Sequence, residues 1–230
     1  MLLLVAMAAM VVSVSGVALA QVINCPTGAN GLCVGTDNND TLNGTNNPDR
    51  IKAFGGHDTV NAKDAADDLR GGSGNDDLFG EDGNDTYYGG SGKDFLSEYK
   101  GVTDPGRNGH TGQDVMYGGD GTDYLEGGRE GDELHGGSNS ATATTNEKLY
   151  GDPGGDKLYG EDGPDYMEGE EGSDLMSGGA GADEINAAND ETAGTPDTIN
   201  CGGGFDVVRA NNNDTVAEDC EDVTRVANPQ

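Results

Sequence analysis

The feature that most constrains this chain is a repeat of nine residues. Residues 71–97 read GGSGNDDLF, GEDGNDTYY and GGSGKDFLS, with Asp at the sixth position and a large hydrophobic residue at the eighth position of each unit. Read in nines from Gly35, the repeat continues without a slip through seven units, and it resumes over 109–135 and 151–186. Self-similarity at a short, fixed period predicts a solenoid of stacked coils.

Each position of the unit has a physical role. The opening Gly, Asn and Asp residues adopt positive φ at low cost, so the first six residues predict a tight turn. The last three residues predict a short strand in which the eighth residue points inward and its two neighbours point outward. The predicted inward residues are Leu42, Ile51, Val60, Leu69, Leu78, Tyr87, Leu96, Met116, Leu125, Leu134, Leu158, Met167, Met176 and Ile185. Two units close one coil of 18 residues, and the next coil stacks about 4.8 Å further on.

Aspartates that are 18 residues apart then lie one above another. Bare carboxylates repel each other at that spacing, whereas a hard cation between them would bind both, with metal–oxygen distances of about 2.3 to 2.6 Å. Calcium fits such a site because it accepts irregular shells of six to eight oxygens, and magnesium demands a smaller octahedron. The uninterrupted blocks contain eight such pairs, which predicts about eight Ca²⁺ ions: 40/58, 49/67, 58/76, 67/85, 76/94, 114/132, 156/174 and 165/183.

The glycine-rich turns would complete these sites. Their backbone carbonyls are hard oxygen ligands of the kind that calcium uses. The unit AKDAADDLR has no glycine, so we expect the pairs that use Asp67 to be weak or empty. The candidate turn glycines are Gly71, Gly74, Gly80, Gly83, Gly89, Gly92, Gly118, Gly121, Gly160, Gly163, Gly169, Gly172, Gly178 and Gly181. Because one apolar side chain per unit buries little surface, metal binding and folding should be coupled.

The units GGSGNDDLF, GGDGTDYLE and GGAGADEIN closely resemble the glycine-rich nonapeptide of the RTX, or haemolysin-type, calcium-binding proteins. The resemblance covers roughly residues 35–186. It implies an all-β fold, a parallel β-roll with two nonapeptides per coil, in which calcium is held by the sixth-position aspartate and by turn carbonyls. That role falls on the following residues: Asp40, Asp49, Asp58, Asp67, Asp76, Asp85, Asp94, Asp114, Asp123, Asp132, Asp156, Asp165, Asp174 and Asp183.

The strong negative charge of the chain restricts the kinds of partner that it can bind. The chain has 43 acidic and 12 basic residues and a formal net charge of -31, so it repels nucleic acid and anionic membrane surfaces and attracts cations. An apolar fraction of only 33% together with this charge is also typical of disordered chains. The strict periodicity argues against disorder.

The two ends differ from the repeat. Residues 1–20 form an apolar run that ends in Ala18-Leu19-Ala20, which predicts a signal peptide and an exported chain, with a retained membrane anchor as the alternative. Four cysteines allow three pairings, and we favour Cys25 with Cys33 and Cys201 with Cys220 because each pair closes a local loop. We therefore expect an N-terminal cap over 21–34, a roll over 35–186 with insertions at 98–108 and 136–150, and closing coils over 187–230.

Catalytic motifs are missing from this pattern. The sequence contains no H-E-x-x-H and no G-x-S-x-G, and His57, His110 and His135 lie at unrelated phases of the repeat. The sequence thus favours a secreted, non-enzymatic calcium-binding protein with a structural or adhesive role. Two alternatives stay open: a calcium-dependent module of a secreted hydrolase or toxin whose catalytic part is elsewhere, and an enzyme that uses its insertions.

Overall fold

A computed structural model describes residues 19–27, 31–99, 111–139, 146–188 and 195–227. In this part of the chain every regular element is a strand, and the strands form two parallel sheets. The odd-numbered sheet contains eleven strands: β1 (Gln21–Asn24), β3 (Asp40–Asn43), β5 (Thr59–Asp64), β7 (Asp77–Asp82), β9 (Phe95–Ser97), β11 (Tyr124–Glu126), β13 (Glu147–Tyr150), β15 (Asp165–Glu168), β17 (Glu184–Ala187), β19 (Val207–Asn211) and β21 (Asp222–Val226).

The even-numbered sheet contains ten strands and faces the first. They are β2 (Gly31–Val34), β4 (Asp49–Gly55), β6 (Asp68–Ser73), β8 (Thr86–Gly92), β10 (Val115–Gly121), β12 (Glu133–Ser138), β14 (Lys157–Asp162), β16 (Leu175–Ala180), β18 (Thr198–Gly203) and β20 (Thr215–Val216). Successive strands alternate between the two sheets, as expected of a chain that winds into a parallel β-roll.

The register between strands equals the predicted coil length. Leu69 pairs with Tyr87, and Val60 pairs with Leu78, each 18 residues further along. The register also survives the interruptions of the repeat. Met116 pairs with Tyr87 at a separation of 29 residues, so the eleven additional residues between β9 and β10 leave the register of the described strands unchanged.

The core is a row of side chains between the two sheets, in which most strands place one large apolar residue and some add a buried Ala or Cys. All fourteen residues predicted to point inward are at most 1% exposed, which confirms the inward face. Leu149, Ile199 and Val208 extend the same row. This narrow hydrophobic core buries about one large side chain per nine residues, so hydrophobic burial alone stabilises the roll weakly.

The strands are longer than the sequence predicts. We expected three strand residues per unit, whereas β8 spans Thr86–Gly92 and therefore includes the opening glycines of the next unit. The first position of the unit lies inside these strands and requires glycine there, since a Cβ added to Gly71 in β6 would lie 2.5 Å from Oδ2 of Asp76 and 2.7 Å from the carbonyl oxygen of Gly89. Positive φ occurs at the second and fourth positions instead, for example 117° at Gly72 and 129° at Gly74.

Both predicted disulfides are present. Cys25 and Cys33 join β2 to the residue after β1, with Cα atoms 5.0 Å apart. Cys201 of β18 and Cys220 are joined with a Cα separation of 5.2 Å. Their sequence separation of 19 is close to one coil, so the two residues meet between neighbouring coils.

Several predictions concern residues outside the described ranges. The predicted signal peptide falls almost entirely on residues 1–18, and much of both insertions falls on 100–110 and 140–145, as does His110. Among the described residues, no helix has the length and apolar character needed to span a membrane.

Candidate metal centre

The acids at the sixth position of each unit lie in two columns along the roll. The acids of one column stand at the start of the odd-numbered strands, and those of the other column stand at the start of the even-numbered strands. Every member listed below is buried. The odd column, at the starts of the odd-numbered strands, contains Asp40, Asp58, Asp76, Asp94, Asp123, Glu147, Asp165, Asp183 and Asp206. The even column contains Asp49, Asp67, Asp85, Asp114, Asp132, Asp156, Asp174, Asp197 and Asp214.

Most of these carboxylates accept a hydrogen bond from the backbone of the neighbouring coil through one oxygen. The N–H of Asp58 donates to Oδ1 of Asp76 at 2.8 Å, and the N–H of Asp76 donates to Oδ1 of Asp94 at 2.9 Å. This contact fixes the side chain and turns its second oxygen toward the turn. All eight pairs counted from the sequence are vertical neighbours joined in this way.

The second oxygen of most of these carboxylates is buried without a hydrogen-bond donor. This holds for Oδ2 of Asp58, Asp67, Asp76, Asp85, Asp94, Asp114, Asp123, Asp132, Asp156, Asp165, Asp183 and Asp206. An ionised oxygen buried in this way is costly unless a cation or a donor compensates it. The same kind of orphaned oxygen therefore recurs along both columns.

Backbone carbonyls line the same spaces. The point where a Cβ of Gly71 would lie is close to both Asp76 Oδ2 and the carbonyl oxygen of Gly89. Gly160 repeats the arrangement, with Asp165 Oδ2 and the carbonyl oxygen of Gly178 each 2.5 Å from its Cβ point. Gly89, Gly151 and Gly178 also have a carboxylate oxygen and a carbonyl oxygen nearby, whereas at Gly80 the nearest atoms belong to the Tyr87 hydroxyl and the Asp85 carboxylate.

The fourth-position glycines have another role. Gly74, Gly83, Gly92, Gly121, Gly172 and Gly181 press against a backbone carbonyl of the neighbouring coil, which leaves no room for a side chain. Gly163 presses in the same way against the Asn139 side chain. These glycines permit close stacking of the turns.

The donor set fits calcium. All the orphaned ligands are hard oxygens, and calcium tolerates mixed shells of carboxylate and carbonyl oxygens. Within the described residues, the one group of three acidic, histidine or cysteine side chains whose ligand atoms converge is Cys201, Asp219 and Cys220. Its two cysteines form a disulfide, so it is no metal site. Along the columns, carbonyls must therefore supply a large part of each shell.

Burial makes these acids weak. Desolvation, opposed in part by the backbone hydrogen bond, raises the pKa of Asp76 to about 6 and that of Asp94 to about 7. In the middle of the even column, desolvation and repulsion from Asp85 raise the pKa of Asp114 to about 9. Without a cation, the folded roll therefore favours protonated carboxylates at pH values where an exposed aspartate is ionised.

The first coils differ from the rest. Oδ2 of Asp40 accepts hydrogen bonds from the backbone N–H of Thr36 at 2.7 Å and from its hydroxyl at 2.8 Å, and Oδ1 accepts one from the N–H of Gln21. Thr45 contacts Oδ2 of Asp49 in the same manner. A threonine at the second position thus supplies donors where the later turns leave the oxygen orphaned.

The columns also continue across the insertions, which counting within uninterrupted blocks did not reveal. The N–H of Asp85 donates to Oδ1 of Asp114 at 2.8 Å across 29 residues, and five further pairs have the same contact: 94/123, 132/156, 174/197, 183/206 and 197/214. The unit AKDAADDLR, which has no glycine, shows the same contact. Oδ1 of Asp67 accepts a hydrogen bond from the N–H of Asp49, and the N–H of Asp67 donates to Oδ1 of Asp85.

Glu147 is the residue that sequence reasoning missed. It pairs in register with Asp165, and the N–H of Lys148 donates to the carbonyl of Asp123, so Glu147 occupies the coil position between those two aspartates. The signal was present in the sequence: EKLY at 147–150 is the DKLY of 156–159 with Glu in place of Asp. The expected insertion over 136–150 is therefore wrong at its end, where residues 147–150 form β13.

Other chemistry-bearing residues lie on the outer faces. His135 is stacked between Tyr117 and Tyr159, and its ring nitrogens lie 3.1 Å from Glu133 and 2.9 Å from Glu161. A groove of about 640 Å³ on the odd-numbered sheet is lined by nine residues, none of which is Ser, Cys or His: Lys93, Thr122, Asp123, Tyr124, Asn146, Lys148, Tyr150, Tyr166 and Glu184.

Two parallel sheets joined by glycine turns, with a column of orphaned acid oxygens beside each sheet, define a β-roll of the cation-binding class. A family model described as the RTX calcium-binding nonapeptide repeat matches the chain four times, over 34–64, 62–96, 108–140 and 150–185. The chain belongs to this family, and its repeats are calcium-binding repeats. No curated protein and no solved structure gave a significant match.

Proposed function

We propose that this protein is a secreted, non-enzymatic calcium-binding protein whose β-roll folds as Ca²⁺ binds between successive coils, and that its role is structural or adhesive. The observation that carries the proposal is the row of buried carboxylate oxygens that accept no hydrogen bond along both columns. Calcium would compensate these oxygens together with carbonyls of the first-position turns.

Folding and binding would be coupled for an electrostatic reason. Bringing the columns together buries ionised carboxylates next to one another, and desolvation opposes this strongly. A cation removes the cost, so its binding free energy becomes folding free energy. Eight divalent ions would change the net charge of the chain from -31 to -15.

The number of ions can exceed the eight expected from uninterrupted pairs. Among the described residues, six aspartate pairs of the odd column and eight of the even column share the vertical contact. The pair formed by Asp40 and Asp58 is the weakest candidate because both oxygens of Asp40 already accept hydrogen bonds.

Export is supported by the apolar N-terminal run and by the two disulfides, which persist in oxidising compartments. At extracellular calcium concentrations, weak sites with Kd values of about 10⁻⁴ to 10⁻³ M would be filled. A non-enzymatic role is supported by the position of the sixth-position acids, because they are spread along two columns, and within the described residues only Asp123 among them lines the groove on the odd-numbered sheet.

An adhesive or structural role is supported by the outer sheet faces. Tyr88, Tyr117, His135 and Tyr159 stack along the roll with centroid distances of 5.2, 4.8 and 4.8 Å, and the Arg70 guanidinium lies over Tyr88. Such a row stiffens the stack of coils and presents a regular exposed face.

The test is a titration of the chain starting at Gln21 with calcium, followed by circular dichroism, with magnesium as the matched control. We expect β-structure to appear cooperatively with calcium and hardly at all with equal magnesium, and calorimetry should show several ions per chain. A roll that is equally folded in excess chelator would contradict the coupling. A chain that binds no calcium would contradict the function.

A further inference from the structure

The first two units of the roll, residues 35–52, compensate their acids with donors from the chain itself. Oδ2 of Asp40 accepts hydrogen bonds from the N–H and the hydroxyl of Thr36, at 2.7 and 2.8 Å. Oδ2 of Asp49 accepts the same two bonds from Thr45, at 2.7 and 3.0 Å. Oδ1 of Asp49 is the one oxygen of these two carboxylates that is buried without a donor.

These threonines stand at the second position of the unit, and the later units have no hydroxyl there. Over 71–97, 118–135 and 151–186 the second position is Gly, Glu or Asp. It has positive φ in each of those units, for example 117° at Gly72 and 70° at Glu81, whereas neither Thr36 nor Thr45 has positive φ. The first two turns therefore have a backbone conformation of their own, which directs an N–H and a hydroxyl at the acid.

A lysine ammonium group bonds to a turn carbonyl in the same part of the roll. Nζ of Lys63 in β5 donates to the carbonyl oxygen of Gly44 at 2.7 Å. Gly44 is the first residue of its unit, and first-position carbonyls line the spaces beside the orphaned oxygens of Asp76 and Asp165. Lys63 thus brings a positive charge of the chain itself to the kind of carbonyl that a calcium ion would bind in later coils.

This end of the roll also has more apolar and covalent support than the later coils. Ala53 and Ala62 stand at first positions where every unit from residue 71 to 186 has Gly, and both are buried in the core. Cys25 and Cys33 are buried beside them and form a disulfide. Burial of apolar groups and a cross-link that restricts the unfolded chain both stabilise these coils without metal.

The boundary of this region lies at the third unit. Among the column acids that precede β1 to β5, only Asp58 has an Oδ2 buried without a donor. Desolvation raises the pKa of Asp58 to about 6, compared with about 8 for Asp85 and about 9 for Asp114 further along the roll. Burying the acids without an ion therefore costs less free energy at the N-terminal end than in the middle of the roll.

We propose that the coils formed by β1 to β5 fold without calcium and provide the edge on which the calcium-binding coils assemble, with Thr36, Thr45 and Lys63 in the place of the ion. The proposal rests on the proposed function, because it assumes that the later coils need calcium. In a solenoid each coil contacts only its neighbours, so folding nucleates in one region and propagates from it. A metal-free region at one end would determine where calcium-driven folding begins.

The experiment is hydrogen–deuterium exchange with mass spectrometry on the disulfide-bonded chain starting at Gln21, in excess chelator and in calcium. We expect peptides from residues 21–64 to be protected in both conditions, and peptides from residue 71 on to be protected only with calcium. Rapid exchange of the whole chain in chelator, followed by protection with calcium, would overturn the inference and leave the proposed function intact. Protection of the whole chain in chelator would contradict the coupling on which both proposals rest.

Hydroxyl substitutions test the role of the two threonines. Thr36→Val combined with Thr45→Val should increase exchange of the 21–64 peptides in chelator by about tenfold or more, since each hydroxyl bonds to a buried carboxylate. Thr41→Val combined with Thr59→Val is the matched control, because these half-buried threonines on β3 and β5 do not contact the acids through their hydroxyls, and it should leave exchange unchanged.

A conservative pair of substitutions completes the test. Thr36→Ser combined with Thr45→Ser keeps both hydroxyls and should keep the protection, so the comparison stays decisive if the valine variant fails to fold. Unchanged exchange in the valine variant would overturn the inference. An equal loss of protection in the Thr41 and Thr59 control, or in the serine variant, would overturn it as well.

Discussion

Oδ1 of Asp94 accepts a hydrogen bond of 2.9 Å from the backbone N–H of Asp76, one coil earlier, and Oδ2 of the same carboxylate is buried without a donor. The two oxygens of one side chain thus have separate roles. The first fixes the position of the carboxylate against the neighbouring coil, and the second is available to a cation.

Replacing Asp94 by Asn should reduce the calcium stoichiometry measured by calorimetry and weaken the neighbouring sites. The amide keeps the size of the side chain but removes the charge that the ion needs. Asp77→Asn is the matched control, since Asp77 is exposed on the outer face next to the column and changes the same charge. An unchanged ion count in Asp94→Asn would show that the vertical pairs are not the sites.

Asp40→Asn provides a contrast within the column. Thr36 and Gln21 already donate to both oxygens of Asp40. We therefore expect Asp40→Asn to change the ion count less than Asp94→Asn does.

The dependence on pH should have opposite signs with and without calcium. Burial raises the pKa of Asp76 to about 6, of Asp85 to about 8 and of Asp156 to about 9, compared with about 4 in the unfolded chain. The folded state therefore binds more protons than the unfolded state between about pH 4 and pH 9, so the stability of the calcium-free roll falls as pH rises through this window.

In chelator, lowering the pH from 8 to 5 should increase β-structure measured by circular dichroism. With calcium present, the same acidification should weaken calcium binding, because protons and ions compete for the same oxygens. A calcium-free chain whose β-structure increases with pH would contradict the burial of these carboxylates.

Much of this fold follows from the period alone. Two nines per coil predict the pairing of Leu69 with Tyr87 and the inward row, and they predict that Cys201 and Cys220, 19 residues apart, can meet. The site is less predictable, because the sequence shows where the repeat resumes at residue 109 but not that an acid before an insertion and one after it become vertical neighbours. The contact of Asp85 with Asp114 across 29 residues is one example.

The role of Thr36 could not be read from the repeat either. The second-position residue normally has positive φ, as Gly72 does, and only the folded turn shows that Thr36 instead directs its N–H and hydroxyl at Asp40. The pattern therefore predicts which residue types can hold calcium, and the hydrogen bonds decide which oxygens remain available for it.

The fourth position of the turn offers a matched pair of substitutions. Gly74 has a φ of 129°, and an added Cβ would collide with the carbonyl oxygen of Gly56, so Gly74→Ala should destabilise the calcium-loaded roll by more than about 1 kcal/mol. Ala65 already holds a φ of 91°. Ala65→Gly relieves about 1 to 2 kcal/mol of backbone strain in the folded state. It also increases the conformational entropy of the unfolded chain, which costs about 0.4 to 1 kcal/mol of stability, so the net change is a small gain in stability.

Urea unfolding at saturating calcium measures both changes. The midpoint should fall for Gly74→Ala and stay the same or rise for Ala65→Gly. A fall of equal size in both variants would show that positive φ at this position does not govern stability.

The two disulfides should contribute unequally to stability. Cys201 and Cys220 close a loop of 19 residues, whereas Cys25 and Cys33 close one of 8. A longer closed loop restricts the unfolded chain more, with a contribution of about 3 kcal/mol near 15 residues. Replacing Cys201 and Cys220 by Ala should therefore lower the unfolding midpoint in calcium more than replacing Cys25 and Cys33. The comparison uses urea unfolding of both double variants at the same calcium concentration. A larger loss from the N-terminal pair would show that sealing the first coil matters more than the length of the closed loop.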